Sequence, residues 1–136
     1  MTFSFEIITP EKIVFQDEVA EVIVPTVSGE ISILPNHATL LSQITHGELT
    51  IKKDGKEYSL AVTGGFLDVN NNKVSILADY AVRSEDIEIA KAQEAQKRAE
   101  KAMQEKGSDR DFALAEAQFR RAILELKVAN KRRKHV

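Results

Sequence analysis

The chain has 136 residues, 43% of them hydrophobic and 29% charged, with a net charge of −2. That length suits one ordinary domain, or a small domain with an appendage, and the balance of charge and hydrophobicity excludes disorder. No apolar run reaches the roughly 18 to 20 residues of a membrane span, and with no cysteine and only His37, His46 and His135, disulfides, thiolate zinc sites and cysteine nucleophiles drop out.

In chain order, the N-terminal residues have neither a basic segment nor a long apolar stretch, which predicts no secretory signal and a cytoplasmic location. Phe3, Phe5 and Ile7 alternate with Ser4 and Glu6, and a β-branched run from Val19 to Val24 stops at Pro25; both predict strands. Asp54-Gly55 lies between two strand-like runs, Gly47 to Lys53 and Lys56 to Thr63, and predicts a two-residue type I′ hairpin. Asn70-Asn71-Asn72 predicts a second tight turn between Phe66 to Val69 and Lys73 to Ala78. Gly64-Gly65 sits between predicted strands and reads as a bulge or a close backbone approach.

Near Val82 the composition changes. Residues 1–82 carry a net charge of −6 and residues 83–136 a net charge of +4, and ten of the fifteen alanines lie in the second part. An antiparallel β-sandwich or flattened barrel over 1–82, followed by an antiparallel two-helix hairpin over 83–136, is the expected α+β architecture. Ser84 is expected to cap the first helix, with Glu85, Asp86 and Glu88 in its first turn. Gly107 is expected to end that helix in a left-handed cap, and Ser108 or Asp109 to open the second. Ala92, Ala95, Ala99 and Ala102 would then face Phe112, Ala115, Phe119, Ala122, Leu126 and Ala129 in a seam that buries little, so the hairpin should be weakly held.

No phosphate-binding loop, dinucleotide fingerprint, nucleophile elbow or zinc-helix motif occurs. His37, in the predicted loop Leu34-Pro35-Asn36-His37, reads as a capping or interface residue. The basic tail, Lys127, Lys131, Arg132, Arg133 and Lys134, reads as a dipole-favoured helix end or a docking patch for an acidic partner. It has no interleaved aromatics, and with the chain's pI near 5.9 this argues against nucleic acid.

The stretch Ser28-Gly29-Glu30-Ile31-Ser32-Ile33-Leu34-Pro35-Asn36-His37-Ala38-Thr39-Leu40-Leu41 resembles the G-E-L-G-I-x-P-x-H-A-P-L-L signature of the epsilon subunits of F-type ATP synthases. Gly64-Gly65-Phe66-Leu67-Asp68-Val69 resembles their S-G-G-F-L-E-V, and Val74 to Asp79 followed by Arg83 to Ile87 is similar to their last strand and first helix. The likeness spans nearly the whole chain and departs at Ser32 and Asn36, where glycine is usual, and at Thr39, where proline is usual. The resemblance implies a non-catalytic rotor subunit that couples proton or sodium flow to ATP synthesis, with gamma, the c-ring, beta and alpha as partners. It would sit peripherally at the cytoplasmic face of the cell membrane, without inserting into it. It assigns Ser28, Gly29, Glu30 and His37 to the gamma and c-ring interface. It assigns Arg120, Arg121, Lys127, Lys131, Arg132 and Arg133 to a beta contact through which the helices inhibit hydrolysis. Glu88, Lys91, Arg98 and Arg121 fall at a site where some members bind ATP; Val82 and Glu125 stand where those members have an acid and an arginine, so weak or absent binding is expected and no cofactor. The alternative reading is a stand-alone β-sandwich binding module with a helical tail.

Overall fold

A computed structural model of the chain describes the backbone of residues 1–134 and the side chains of residues 1–131. The side chains of Arg132, Arg133 and Lys134, and all of His135, therefore lie outside the described residues. The chain divides into two compact units, Met1–Arg83 and a second beginning at Ser84.

The first unit holds eight strands: β1 Phe3–Ile8, β2 Ile13–Val19, β3 Glu21–Thr26, β4 Gly29–Ile33, β5 Leu40–Gln43, β6 Gly47–Lys53, β7 Lys56–Asn70 and β8 Lys73–Arg83. They pair in the order β2-β1-β8-β7-β6-β3-β4, with β5 beside β7. All pairs are antiparallel except β1 with β8. The result is a β-sandwich that is not closed, since β2 and β4 end the path unpaired. The alternation in β1 does what its spacing predicts: Phe3, Phe5 and Ile7 are buried while Ser4, Glu6 and Ile8 are not. They join Ile33, Leu49, Leu67 and Ile76 in one core, where each fully buried side chain of this size contributes about 1.5 to 3 kcal/mol.

Both expected hairpins form with positive φ at the two turn residues, Asp54 (52°) and Gly55 (75°), then Asn71 (50°) and Asn72 (60°); this is the type I′ pattern that asparagine, aspartate and glycine tolerate. The run from Val19 to Val24 is not one strand. Val19 ends β2, the Ala20 N–H turns to the Lys52 carbonyl at 2.9 Å, and Pro25 lies inside β3 instead of stopping it. Because β3 pairs with β6 only through Glu21, Val22 and Ile23, a residue without an N–H sits beyond the end of that ladder.

Gly64 and Gly65 resolve as a close approach, not a bulge. The β7–β8 register is the same on both sides of them, Thr63↔Tyr80 and Gly65↔Ala78. A Cβ on Gly65, at φ 118°, would stand 2.0 Å from the Leu77 carbonyl oxygen. At these glycines the fifteen-residue strand changes partner, pairing with β6 along its first half and with β5 along its second.

Across the open seam, the Lys53 ammonium of β6 donates to the Asp17 carboxylate of β2. That bond, together with the Glu18 N–H, holds the Asp17 carboxyl below its ordinary range and raises the Lys53 ammonium above its own. A lowered carboxyl pKa stabilises the fold above the carboxylate's unfolded range and loses that contribution as pH falls through its folded value. The raised ammonium contributes below the ordinary lysine range and loses it on the alkaline side. Asp17→Asn should therefore lower the melting temperature by at most a few degrees at neutral pH, the pair being solvent-exposed. Thermal melts should converge with wild type in strong acid.

In the second unit the helix starts differ from expectation. Ser84–Asp86 forms a single 3₁₀ turn, with the Ser84 carbonyl accepting from the Ile87 N–H at 3.3 Å. Helix α1, Ile89–Gln104, begins after an extended Glu88 whose side chain caps nothing. The tight turn uses up Ser84, so Glu85 and Asp86 precede the helix instead of filling its first turn. At the other end Glu105 is extended and its N–H reaches the Ala102 carbonyl; Gly107 does not take a left-handed φ. Helix α2, Asp109–Lys134, opens as expected on Ser108. The Ser108 hydroxyl accepts from the Asp111 N–H at 3.1 Å, and the Asp111 carboxylate accepts from the Ser108 N–H at 3.3 Å, a reciprocal capping box with aspartate in the glutamate's place. Ala92 and Ala99 of α1, and Ala115, Ala122 and Ala129 of α2, are buried as the seam requires. Ala102 and Phe112 near the link are exposed, and Leu124 and Val128, absent from the expected stripe, are buried.

Candidate interaction surfaces

The two loops expected to bind partners are separate. Ser28 and Gly29 turn the chain from β3 into β4. The Thr26 hydroxyl donates to the Gly29 carbonyl at 2.6 Å and accepts from the Ser28 N–H at 3.2 Å, while Gly29 takes φ 111°. This tight, small-residue turn leaves Glu30 exposed at the start of β4. His37 lies four residues past the other end of β4, in a loop that leads into β5, and its Nδ1 is 2.7 Å from the Ala38 carbonyl. A carbonyl accepts only, so Nδ1 is the donor in this contact.

A third feature escaped the residue-by-residue reading. The register aligns Gln43 of β5 with Phe66 of β7, Phe66 with Leu77 of β8, Leu77 with Ile8 of β1, and Ile8 with Ile13 of β2. Paired residues share a face, so Phe66, Leu77, Ile8 and Ile13 form one apolar row on the outside of the sandwich, while Leu41, two residues from Gln43, lies on the same face opposite Asp68, at the β5 end of the neighbouring row. Phe66, Leu77, Ile13 and Leu41 are each more than half exposed. The next row is polar, Asp68, Ser75 and Glu6, with the Ser75 hydroxyl donating to Glu6 at 2.8 Å. The available signal was adjacent apolar pairs, Ile7-Ile8, Leu40-Leu41, Phe66-Leu67 and Ile76-Leu77: a strand with one solvated face needs only one apolar member of each. A contiguous apolar surface rimmed by polar groups marks an interface.

On the helices, the basic side chains are largely engaged along their own faces. Arg120 pairs with Glu116 at 3.0 Å, Arg121 with Glu125 at 3.3 Å, and Lys91 with Glu88 at 3.2 Å. Arg98, Lys127 and Lys131 are exposed. Lys91 and Arg98 lie seven residues apart on α1. Among the described residues no group of three or more His, Cys, Asp or Glu side chains could hold a metal ion, and no helix is long and apolar enough to cross a membrane.

Residues 2–84 match the beta-sandwich domain of the ATP synthase Delta/Epsilon chain, and residues 85–130 its long alpha-helix domain. The chain belongs to the ATP synthase delta/epsilon family. It is 50% identical over 131 residues to the ATP synthase epsilon chain of Dehalococcoides mccartyi, covering 96% of this chain and 94% of that one. Over 128 residues it is 40% identical to the epsilon chain of Desulforamulus reducens, covering 94% and 97%. Among solved structures, a chain of the Euglena gracilis mitochondrial ATP synthase, OSCP/F1/c-ring in rotational state 1, superposes with a TM-score of 0.78 at 24% identity. That match covers 94% of this chain and 81% of the Euglena one. At this identity the superposition speaks for the fold alone.

Within the family this chain is the epsilon type, a non-catalytic subunit of the rotary ATP synthase. The helix-domain match stops at residue 130, so Arg120, Arg121 and Lys127 lie within it and Lys131, Arg132 and Arg133 outside it.

Proposed function

We propose that, inside the ATP synthase, the sandwich docks on gamma and the c-ring at the cytoplasmic face of the cell membrane, and that the helical unit restrains ATP hydrolysis through beta and alpha. The observation carrying the docking role is the apolar row of Phe66, Leu77, Ile8 and Ile13. An apolar row with three of its four large side chains more than half exposed is an unfavourable surface for a free-standing domain and a favourable one for a subunit with a constant partner. Gamma is the occupant this reading assigns to the row and the His37 loop, and the c-ring the one it assigns to the small-residue turn at Ser28, Gly29 and Glu30. The acidic rim, Glu6 and Asp68, favours a basic or mixed partner surface and tunes the association rate. Purified chain mixed with its cognate gamma should co-elute one-to-one on size exclusion. Two separate peaks at micromolar concentration would favour the stand-alone binding module instead.

ATP is not a ligand in this reading. Arg121 is held by Glu125 and Lys91 by Glu88, so two of the cations that the resemblance places at the ATP site are paired along their own helices, and Glu125 adds a repelling carboxylate where an arginine fork would attract. Calorimetric titration with ATP should show no binding in the low micromolar range.

A further inference from the structure

Asn72 joins three stretches of the sandwich that are distant in sequence. It is the second left-handed residue of the β7–β8 turn, at φ 60°, and its backbone carbonyl accepts from the Ser4 N–H at 3.2 Å. Its side chain uses both ends of the amide: Oδ1 accepts from the Asn36 N–H at 2.7 Å, and Nδ2 donates to the Thr2 carbonyl at 3.1 Å. A donor on one side and an acceptor on the other also fix which end of the amide is which.

Asn36 immediately precedes His37 and is itself left-handed, at φ 62°, a conformation that asparagine tolerates better than other non-glycine residues. A loop backbone at such a φ holds one conformation only where its surroundings over-determine it. Here the bond from Asn36 reaches a residue 36 positions away, on the best-paired hairpin of the sandwich. The loop it restrains runs directly into β5, whose Gln43 pairs with Phe66 of the apolar row and whose Leu41 is exposed on the same outer face.

We infer that Asn72 is a positioning residue for the His37 loop: by holding the Asn36 N–H, it keeps the loop in the conformation that docks on gamma. The inference rests on the docking role proposed above. Without the tie, the segment between β4 and β5 samples more conformations, and docking then has to order it, which weakens binding through lost pre-organisation.

Two substitutions separate this role from plain fold stability. Asn72→Gly keeps the left-handed turn accessible and removes both side-chain bonds; Asn72→Asp keeps an acceptor for Asn36 and removes the donor to Thr2. In the full chain, amide exchange followed by NMR should quicken at Asn36 roughly five- to tenfold in Asn72→Gly, the range expected for one hydrogen bond. The amide of Leu67 in the core should be unchanged, and gamma affinity should fall several-fold. Asn72→Asp should restore most of the Asn36 protection and of the affinity. Unchanged Asn36 exchange in Asn72→Gly would overturn the inference. So would faster exchange with undiminished gamma affinity, or an equal loss of protection at Asn36 and Leu67. If wild-type chain fails to bind gamma, the docking role falls, and the tie still stands or falls on the exchange rates.

Discussion

Phe66→Asp should weaken the complex with gamma about thirtyfold or more while the isolated chain melts within a few degrees of wild type. A central aromatic at an interface costs about 2 kcal/mol or more when lost, and each 1.4 kcal/mol is a factor of ten in affinity. The sandwich tolerates the change because Phe66 is 55% exposed and the core beneath β7 is carried by Leu67 and Val69. Leu77, directly opposite on β8, should behave alike, but aspartate at both positions would set two like charges face to face across the ladder and destabilise the sheet for an unrelated reason. Leu77→Ser is therefore the cleaner second variant. Two controls belong with the titration. Raising salt should slow association without abolishing binding, since the rim acids steer and the apolar row holds. Val27→Ser, an exposed change in the β3–β4 turn assigned to the c-ring side, should leave gamma affinity unaltered. Equal gamma affinity for Phe66→Asp and wild type would remove the apolar row from the interface.

What was legible in the sequence was whatever depends on neighbours along the chain. The alternation of Phe3, Phe5 and Ile7, the Asp54-Gly55 turn, the asparagine turn and the Ser108 cap are all decided within a few residues, and all appear where expected. The β-branched run from Val19 to Val24 was misleading because intrinsic strand preference does not record where the chain leaves one partner for another; the Ala20 bond to Lys52 makes that break. The first helix start was misplaced because a serine followed by acids fits both a helix cap and a 3₁₀ turn. The outer apolar row could not be read as a unit, since its members come from four strands that only the register aligns. Asn72 was visible as a turn former, but its side-chain partners lie at Asn36 and Thr2, and no local pattern announces them. Glu30 and His37, close in the motif, are separated by β4: Glu30 lies at its start and His37 four residues past its end.

Removing everything after Arg83 should leave a folded sandwich that still assembles, and should raise ATP hydrolysis by the reconstituted enzyme several-fold. The cut belongs after Arg83 and not within β8, because Val82 and Arg83 still pair with Ala61 and Leu60. Arg83 also donates from Nε (3.1 Å) and Nη2 (2.7 Å) to the Val14 carbonyl, with its guanidinium 5.4 Å from the Phe15 ring centroid. A shorter truncation would damage the sandwich and confuse loss of the brake with loss of docking. The proposed brake acts through α2, whose 26 residues span about 39 Å at 1.5 Å each, and whose buried face combines three alanines with Leu124 and Val128. Its cations are not equivalent. Arg120 and Arg121 are already paired with Glu116 and Glu125, so meeting carboxylates on beta exchanges one exposed pair for another. Lys127, Lys131, Arg132 and Arg133 add four positive charges after the last acid, Glu125, and are the cations expected to supply the rest of the electrostatic part. Exposed pairs contribute about 0 to 1 kcal/mol each, so alanine at these four should release the brake only partially, and less at high salt than at low. The remainder would come from apolar contacts of Phe112, Phe119 and Leu126. Equal hydrolysis by truncated and full-length forms at both salt concentrations, with gamma binding intact, would show that this chain does not act as a brake.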